Sequence, residues 1–371
     1  MMHPLTIGSR EIGTAHPPFM VAEMSGNHMG SLESALQIIR EAATNGADAI
    51  KLQTFTPSIL TINSRRAEFY IDDPRSPWHG RRLWDLYEEA RTPWEWHGAI
   101  FHEARKAGLA CISTAFDESS LEFLVNLNVD AIKISSFELV HIPLIRAAAR
   151  TGKPVLLSTG MATLEEIDDA VQTLREEGCR QFVLLKCTSA YPSQESDAHV
   201  SAMQDMAKRY ECHVGLSDHC LRPYIAYAAT ALGAAVIEKH LTLRRSLGGV
   251  DAAFSLEPRE FKEMVGGVEA VWKSIGGVTY RCTDSESASA KERPSIYVVR
   301  PIRRGEAFTR ENIRVIRPAN GLPPKYYDDL IGRQSLKDLP TGTPMSQEFV
   351  QATDELPEHK QSIGLVITPV N

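Results

Sequence analysis

Short apolar runs alternate along this chain with longer segments that carry apolar residues at helical spacing. Such runs are typical of strands in a parallel sheet, because helices cover both faces of that sheet and the strands are buried throughout. Eight runs have this character: residues 19–23, 49–53, 110–114, 131–135, 155–159, 182–187, 213–217 and 236–240.

Helical patterns separate the eight runs, at residues 31–45, 93–107, 118–127, 142–149, 164–177, 198–210 and 222–232. Ser31 and Thr163 are capping residues at two of the starts, and Gly46 and Gly178 follow the corresponding ends. Eight strand–helix units in about 250 residues predict an α/β fold, a (β/α)₈ TIM barrel. A doubly wound open sheet is the competing architecture, but no glycine-rich dinucleotide fingerprint follows the first strand.

Residues 63–91, here named the excursion, are too long for a simple strand-to-helix loop. They contain the aromatic residues Tyr70, Trp78, Trp84 and Tyr87. We expect the excursion to be an ordered segment that lies over the mouth of the barrel.

The composition changes after the predicted barrel domain, residues 1–275. Residues 276–294 are rich in Ser, Ala and charge, which is typical of a linker. Residues 295–350 have short β-like runs and two similar turns, at 302–305 and 339–342, and so predict a small domain with little core of its own. Residues 351–371 give no clear pattern and form a C-terminal tail.

The charge balance and the cysteines narrow the class of protein. With 40 Lys and Arg against 47 Asp and Glu, the formal net charge is −7, which gives no indication of nucleic-acid binding. Six cysteines occur without a CxxC pair, so we expect free thiols in a reducing cytoplasm. No run has the length of a membrane helix and the start lacks a signal-peptide core, so we expect a cytoplasmic location.

Two histidines are candidates for a metal site. His219 and His240 lie at the ends of neighbouring predicted strands, about one strand–helix unit apart, so a barrel would bring them to the same edge. Two imidazoles can share one divalent metal and leave positions for water or a substrate oxygen. Either histidine alone is better explained by capping a strand, but the two together, at this spacing and beside Asp218 and Glu238, favour a site.

Lysines and hydroxyl groups also collect at the predicted strand ends. Several lysines around one mouth repel one another, so a multiply charged anion such as a phosphate or carboxylate would account for them. A single lysine is better explained by an apolar stem with its head in water. The set as a whole predicts an anion site combined with a metal.

Eight motifs occur in an order that resembles the sialic acid synthase family: AEMSGNHMGS, IKLQTF, IKISSFE, STGMAT, CTSAYP, LSDH, EKHLT and SLEP. The resemblance spans about residues 10–350. RRGEAFTRENI and IRPANG, in 295–350, resemble the antifreeze-like (SAF, β-clip) domain of that family. The resemblance implies an enzyme that condenses phosphoenolpyruvate with an acylated amino sugar to make a nine-carbon sugar acid.

The resemblance assigns roles residue by residue. His219 and His240 match two manganese ligands, with magnesium or cobalt as alternative metals, and Glu23 matches the carboxylate near the reacting carbons. Positions that hold phosphoenolpyruvate are matched by Lys51, Thr114, Lys133, Ser136, Ser158, Ser189 and Ser217. The family often has Asn where Ser189 stands. Positions around the sugar are matched by Gln53, Glu138, Tyr191, Asp251 and Arg317, the last supplied by the small domain of the partner subunit, which implies a homodimer with swapped SAF domains.

Within the family, LWDLYEEARTPWEWH, SFELVHIPLI, GGVDAAFSLEP and RPANGLPPKYYDDLIG are most similar to the pseudaminic acid branch. That branch takes a trideoxy sugar, and the apolar residues after Asp251 suit its methyl group. The neuraminic and legionaminic acid branches are the alternatives. Two other classes stay open, a barrel aldolase with Lys133 or Lys186 as a Schiff-base nucleophile, and a non-catalytic carbohydrate-binding protein.

Overall fold

The computed structural model describes residues 5–350, which form two compact units that divide between Gly276 and Gly277. In chain order the first unit contains β1 (Leu5–Ile7), β2 (Arg10–Ile12), β3 (Phe19–Glu23), α1 (Leu32–Thr44), β4 (Ala49–Thr54), α2 (Pro57–Leu60), α3 (Leu83–Ala90), α4 (His97–Lys106), β5 (Ala110–Ala115), α5 (Glu118–Asn126), β6 (Ala131–Ile134), α6 (Ile142–Arg150), β7 (Val155–Ser158), α7 (Leu164–Glu176), β8 (Phe182–Cys187), α8 (Ala202–Tyr210), β9 (His213–Asp218), α9 (Tyr224–Ala231), β10 (Val236–His240) and α10 (Pro258–Ile275).

Strands β3 to β10 close into a parallel barrel, in which β10 pairs with both β3 and β9. The prediction of a TIM barrel is confirmed. Each predicted strand ends within one residue of the end of the observed strand. Continuous apolar runs of this kind are typical of strands that are buried on both faces of a parallel sheet.

An antiparallel hairpin of β1 and β2, which the sequence analysis did not predict, precedes the barrel. Leu5, Ile7 and Ile12 of the hairpin are buried in one cluster with Phe19 and Ala235, which stand at the N-terminal ends of barrel strands. The hairpin therefore covers the N-terminal end of the barrel and leaves the C-terminal end for a site.

Two helical predictions need correction. The pattern predicted from residue 93 begins with a 3₁₀ turn at Trp94–Trp96, and the α-helix starts at His97; similarly, α8 starts at Ala202 after a 3₁₀ turn rather than at residue 198. Helix α10, which packs against α9, was not among the predicted helices. No helix of residues 5–350 is long and apolar enough to cross a membrane.

The second unit contains α11 (Ser287–Ala290), β11 (Ser295–Val298), β12 (Ile313–Ile316) and α12 (Tyr327–Leu330), and its two strands pair antiparallel. The two similar turns do face each other, since Ile302 and Leu339 exchange backbone hydrogen bonds of 2.9 and 2.7 Å. The expectation of little core is wrong. This unit has a buried cluster of its own: Ile296, Val298, Ile302, Phe308, Ile313, Leu330, Leu339, Met345, Phe349 and Val350. The predicted tail, 351–371, lies outside the described residues.

Candidate active site

Lys51 stands at the centre of a buried polar cluster inside the C-terminal half of the barrel. Its Nζ forms an ion pair with Oε2 of Glu23, lies 3.6 Å from Oε1 of Glu238 and donates to Oγ1 of Thr114 at 3.2 Å. These residues come from four strands, β3, β4, β5 and β10, and alternation along each strand directs their side chains to the interior. The barrel thus gathers groups that are far apart in sequence.

Lys133 is the second buried cation of the cluster. Its Nζ donates to Oγ of Ser158 at 2.7 Å and lies 3.9 Å from Oε1 of Glu238. The same Glu238 oxygen accepts a hydrogen bond of 3.0 Å from Ser217. Two lysines therefore share one carboxylate, and several hydroxyl groups surround them. A dianionic ligand could bind this arrangement through charge-assisted hydrogen bonds.

Burial and the neighbouring charges shift the pKa values of the ionisable groups in this cluster. Burial raises the pKa of Glu23 to about 7, and the negative charges of Glu238 and Asp251 add to that shift while Lys51 opposes it. Burial also lowers the pKa of Lys133, although Glu238 opposes the change. For Glu238, the two lysines outweigh burial, so its pKa lies below the usual range. Glu23 is thus the carboxylate whose proton is exchangeable near neutral pH.

Two further hydroxyl groups lie next to Gly160 at the mouth of the barrel. Its N–H donates to Oγ of Ser136 at 3.0 Å, and a Cβ at this position would clash with the hydroxyl groups of Ser136 and Ser189. The absence of a side chain therefore allows Ser136 and Ser189 to approach the end of β7, where Ser158 also lies. This close approach gives hydroxyl donors on one side of Lys133.

His219 and His240 lie side by side, with ring centroids 5.4 Å apart. Nδ1 of His219 lies 2.9 Å from the carbonyl oxygen of Thr188, which identifies it as the protonated nitrogen and leaves Nε2 free to act as a ligand. Nδ1 of His240 is buried, has no hydrogen-bond partner among residues 5–350 and lies 3.9 Å from Oδ2 of Asp251. Burial and the neighbouring cationic groups hold the pKa of His240 well below its usual range, which keeps the imidazole in the neutral form that binds metals.

These two histidines fit a divalent metal with open coordination positions. Within residues 5–350 no group of three or more His, Cys, Asp and Glu side chains converges as a metal site. A metal held by this pair would complete its coordination with water or substrate oxygen, as in a site that leaves positions open for a reactant.

The residues of the first unit that were predicted to surround the sugar line the same mouth. Gln53 donates a hydrogen bond of 3.2 Å to Oε1 of Glu23. The carboxylates of Glu138 and Asp251 accept hydrogen bonds from the hydroxyl groups of Ser135 and Ser25, respectively. The ring of Tyr191 packs on His219, with centroids 4.5 Å apart. Arg317 lies in the second unit, where it is exposed, so its role stays a prediction.

The excursion reaches this site through Trp78. Its ring packs against Tyr191 and Phe254, at centroid distances of 5.5 and 6.0 Å, and its Nε1 donates to the carbonyl oxygen of Val250 at 2.8 Å. Phe254 in turn packs against both histidines. The expectation of an ordered segment at the mouth therefore agrees with the structure.

Glu238 was predicted only as an acidic neighbour of the two histidines, and Ser25 was not predicted, although both belong to this cluster. Each stood within a quoted motif, EKHLT or AEMSGNHMGS, so position within a motif was the available signal. The partners of both residues depend on the closed barrel. Glu238 meets Lys51 and Lys133 across the interior, and Ser25 meets Asp251, which is 226 positions later in the chain.

The profile of the NeuB family matches residues 38–280, and that of the SAF domain matches residues 293–351. The chain belongs to the NeuB family. The resemblance to sialic acid synthases, and with it the prediction of an enzyme, is confirmed. Synthases of the NeuB family are generally metal-dependent.

Three relatives show how much of this NeuB-family chain is shared. The pseudaminic acid synthase of Campylobacter jejuni subsp. jejuni is 39% identical over 329 residues, which cover 89% of this chain and 95% of that protein. The pseudaminic acid synthase of Helicobacter pylori is 39% identical over 339 residues, 90% of this chain and 98% of that protein. The crystal structure of N-acetylneuraminic acid synthetase from Leptospira borgpetersenii in complex with citrate is 33% identical, with a TM-score of 0.69, and covers 78% of this chain and 95% of that chain.

Proposed function

We propose that the protein is a pseudaminic acid synthase. It condenses phosphoenolpyruvate with 2,4-diacetamido-2,4,6-trideoxy-β-L-altropyranose to give pseudaminic acid and phosphate, with cleavage of the C–O bond of phosphoenolpyruvate. The observation that carries this proposal is the pair Lys51 and Lys133, which share Glu238 among hydroxyl groups beside two adjacent histidines. The likeness to two pseudaminic acid synthases over most of the chain supports the choice of product.

Phosphoenolpyruvate carries a phosphate and a carboxylate, and the cluster offers donors for both. Lys133, Ser136, Ser158 and Ser189 lie together around Gly160, and Lys51, Thr114 and Ser217 lie around Glu238. The bound anion would become a further partner of the two lysines, in addition to Glu23 and Glu238. These groups hold the methylene carbon in attack geometry, which is mainly a positioning effect.

Glu23 is the proposed proton-handling group. It is fully buried, its pKa is about 7, and Gln53 and Lys51 hold its two oxygens. In this position it takes the proton of the water that adds to the substrate carbon, or delivers one to the new hydroxyl group. General acid–base catalysis of this kind contributes about 10²–10⁴-fold to the rate.

His219 and His240 would hold a divalent metal, which we propose to be manganese, with magnesium and cobalt as alternatives. When bound, the metal supplies Lewis-acid polarisation of the aldehyde oxygen of the open-chain sugar. Thr188 fixes the tautomer of His219 through its carbonyl oxygen, and Phe254 packs against both rings. These contacts hold the imidazoles ready for the metal.

The sugar is proposed to lie among Gln53, Glu138, Tyr191 and Asp251. Phe254 and Trp78 add an apolar surface beside Tyr191, which suits a methyl group better than a hydroxymethyl group. The neuraminic and legionaminic acid synthases are related enzymes, and their sugars are the alternative substrates. Apolar contacts alone reject an added hydroxyl group only weakly, so the assignment of the sugar needs a direct assay.

We propose that each subunit consists of a barrel domain (1–275), a linker (276–294) and a SAF domain (295–350). Two subunits form a homodimer with swapped SAF domains, in which Arg317 of the partner subunit contacts the sugar. Two observations support the swapped dimer: the side chain of Arg317 is exposed, and the unit that carries it has a buried core of its own. Mixing Arg317→Ala and Glu23→Gln subunits tests it, because heterodimers would regain one intact site. Activity that stays at the level of the separate variants, with mixed dimers demonstrated, would contradict the exchange.

The first experiment is a product assay on the purified protein with phosphoenolpyruvate and Mn²⁺. The trideoxy-altrose sugar and N-acetylmannosamine are offered separately, and phosphate release and product mass are measured. Turnover of the altrose sugar alone supports the proposal. Turnover of N-acetylmannosamine instead moves the protein to the neuraminic acid branch, and no turnover of either sugar by folded protein contradicts the proposed reaction. A reducing cytoplasm is the proposed location, in keeping with six free cysteines.

A further inference from the structure

The residue before each of the two site histidines belongs to one buried ion pair. Asp218 precedes His219 and Lys239 precedes His240, and the two are directly opposite each other in the β9–β10 ladder. Nζ of Lys239 donates to Oδ2 of Asp218 at 2.6 Å, and the two side chains are 0% and 2% exposed. Because side chains alternate along a strand, this pair lies on the opposite face of the barrel wall from Glu238 and Ser217.

The ion pair also holds the backbone next to His219. Lys239 donates a second hydrogen bond, to the carbonyl oxygen of Cys220, and Oδ1 of Asp218 accepts from the N–H of Cys220 at 2.9 Å. Both peptide groups of Cys220 are therefore bound by the pair. On the other side, the carbonyl oxygen of His219 accepts from the N–H of Ser193 at 3.2 Å.

The contacts of Asp218 and Lys239 with Cys220 lie just beyond the end of the β9–β10 pairing. The last paired residues of β9 and β10 are Asp218 and Lys239, so His219 lies beyond the ladder while His240 is still paired with Glu23 of β3. Without ladder hydrogen bonds, the backbone of His219 needs another connection to the strand of His240. Lys239 makes that connection from inside the protein.

We propose that Asp218 and Lys239 are positioning residues that set the separation of the two imidazoles and thereby the affinity for the divalent cation. This inference rests on the proposed metal site. A buried ion pair contributes little to stability relative to neutral residues of similar size, because desolvation offsets the attraction. Its neutral replacement should therefore weaken metal binding more than it affects folding, and a purely structural role would give the reverse.

The experiment compares two double variants of the full chain. Asp218→Asn/Lys239→Met removes both charges at nearly constant volume. Arg10→Met/Asp48→Asn is the matched control, because that ion pair lies at the N-terminal end of the same barrel and Asp48 likewise accepts a backbone hydrogen bond, from Met20 at 2.7 Å. Mn²⁺ binding is measured without substrates by calorimetry and by the electron paramagnetic resonance signal of free Mn²⁺, and unfolding is followed in urea.

We expect Asp218→Asn/Lys239→Met to raise the Kd for Mn²⁺ by about 10–100-fold, the usual effect of removing groups that orient metal ligands, with an unfolding midpoint near that of the wild type. The control should bind Mn²⁺ with the wild-type Kd. An unchanged Kd in the first variant, or an equal rise in both, overturns the inference and leaves the proposed function standing. Absence of Mn²⁺ binding by the wild type overturns the metal site as well.

A single variant covers the case in which the double variant does not fold. Asp218→Asn alone keeps the size of the side chain and the acceptor for the N–H of Cys220 but turns a donor toward Lys239, which breaks the pair. We expect it to fold and to bind Mn²⁺ more weakly than the wild type. Wild-type affinity in the folded single variant overturns the inference.

Discussion

Lys51 and Glu23 form an ion pair inside the barrel, where their side chains are 4% and 0% exposed. The contact leaves Glu23 with competing influences, since burial favours its neutral form and Lys51 favours the ionised one. A carboxylate in such a setting can exchange its proton near neutral pH, whereas an exposed glutamate stays ionised. This balance is the physical basis for the proposed role of Glu23.

The substitution Glu23→Gln should leave the fold intact and lower kcat by about 10²–10⁴-fold, because the amide cannot exchange a proton. Phosphate release measures the activity and circular dichroism the fold. The exposed pair of Glu269 with Lys273 offers a control, Glu269→Gln, which should retain full activity. A fully active Glu23→Gln protein would exclude this role.

The pH dependence of the reaction should reflect Glu23. If its ionised form acts as the base, kcat/KM rises with pH through about 7 and falls below it, since the pKa lies at about 7. Glu23→Gln should remove this limb from its residual activity. A limb that persists unchanged in the variant would assign the titration to another group.

Lys133→Met should weaken phosphoenolpyruvate binding. The methionine keeps the length of the side chain but loses the hydrogen bond to Ser158 and one positive charge. Hydrogen bonds to charged groups contribute about 1.5–3 kcal/mol, so we expect KM for phosphoenolpyruvate to rise about 10–100-fold. Lys273→Met, at an exposed helical pair, is the control and should leave KM unchanged. Equal effects of the two substitutions would contradict the specific role of Lys133.

Chelation should separate the metal-dependent reaction from a Schiff-base mechanism. We expect EDTA to abolish turnover and Mn²⁺ to restore it, while borohydride added with substrate leaves the enzyme active. The alternative has a physical basis, because burial lowers the pKa of Lys133 and of Lys186 and so favours their nucleophilic forms. Loss of activity to borohydride, together with resistance to EDTA, would favour that alternative.

Acid should destabilise the fold through His28 and His97. Burial lowers the pKa of each to about 4, against 6.5 for the unfolded chain, so the unfolded state binds more protons between these values. As the pH falls from 6.5 toward 4, the free energy of unfolding should drop by up to about 2.7 kcal/mol per unit, because two protons are taken up. Urea unfolding at pH 7, 6 and 5 measures this slope.

The variant His97→Gln should reduce that slope by about half, since one of the two proton uptakes is lost. His102 is exposed, and His102→Gln is the matched control that should keep the full slope. Slopes that are equal in all three proteins would show that other groups govern acid unfolding.

The candidate site could be predicted in part because barrel topology brings strand ends together. Glu23, Lys51, Lys133, His219 and His240 were predicted from the resemblance and from their places in or just after apolar runs, and the structure brings them to one mouth. Their pairing was not predictable, because it depends on the register between strands that are remote in sequence. The role of Arg317 stays a prediction, since its proposed contact involves another subunit.

The amino-acid sequence by itself determined the barrel, because the apolar strand run is a local signal that repeats eight times in order, and caps and glycine stops mark some of the helices between the runs. Only the tertiary structure decided which polar groups meet. Three such contacts join elements that are separated along the chain: the sharing of Glu238 by two lysines, the packing of Trp78 on Tyr191, and the hydrogen bond from Lys239 to the backbone after His219. Such contacts leave no periodic trace in the chain, because their geometry arises only when separate strands and loops pack together.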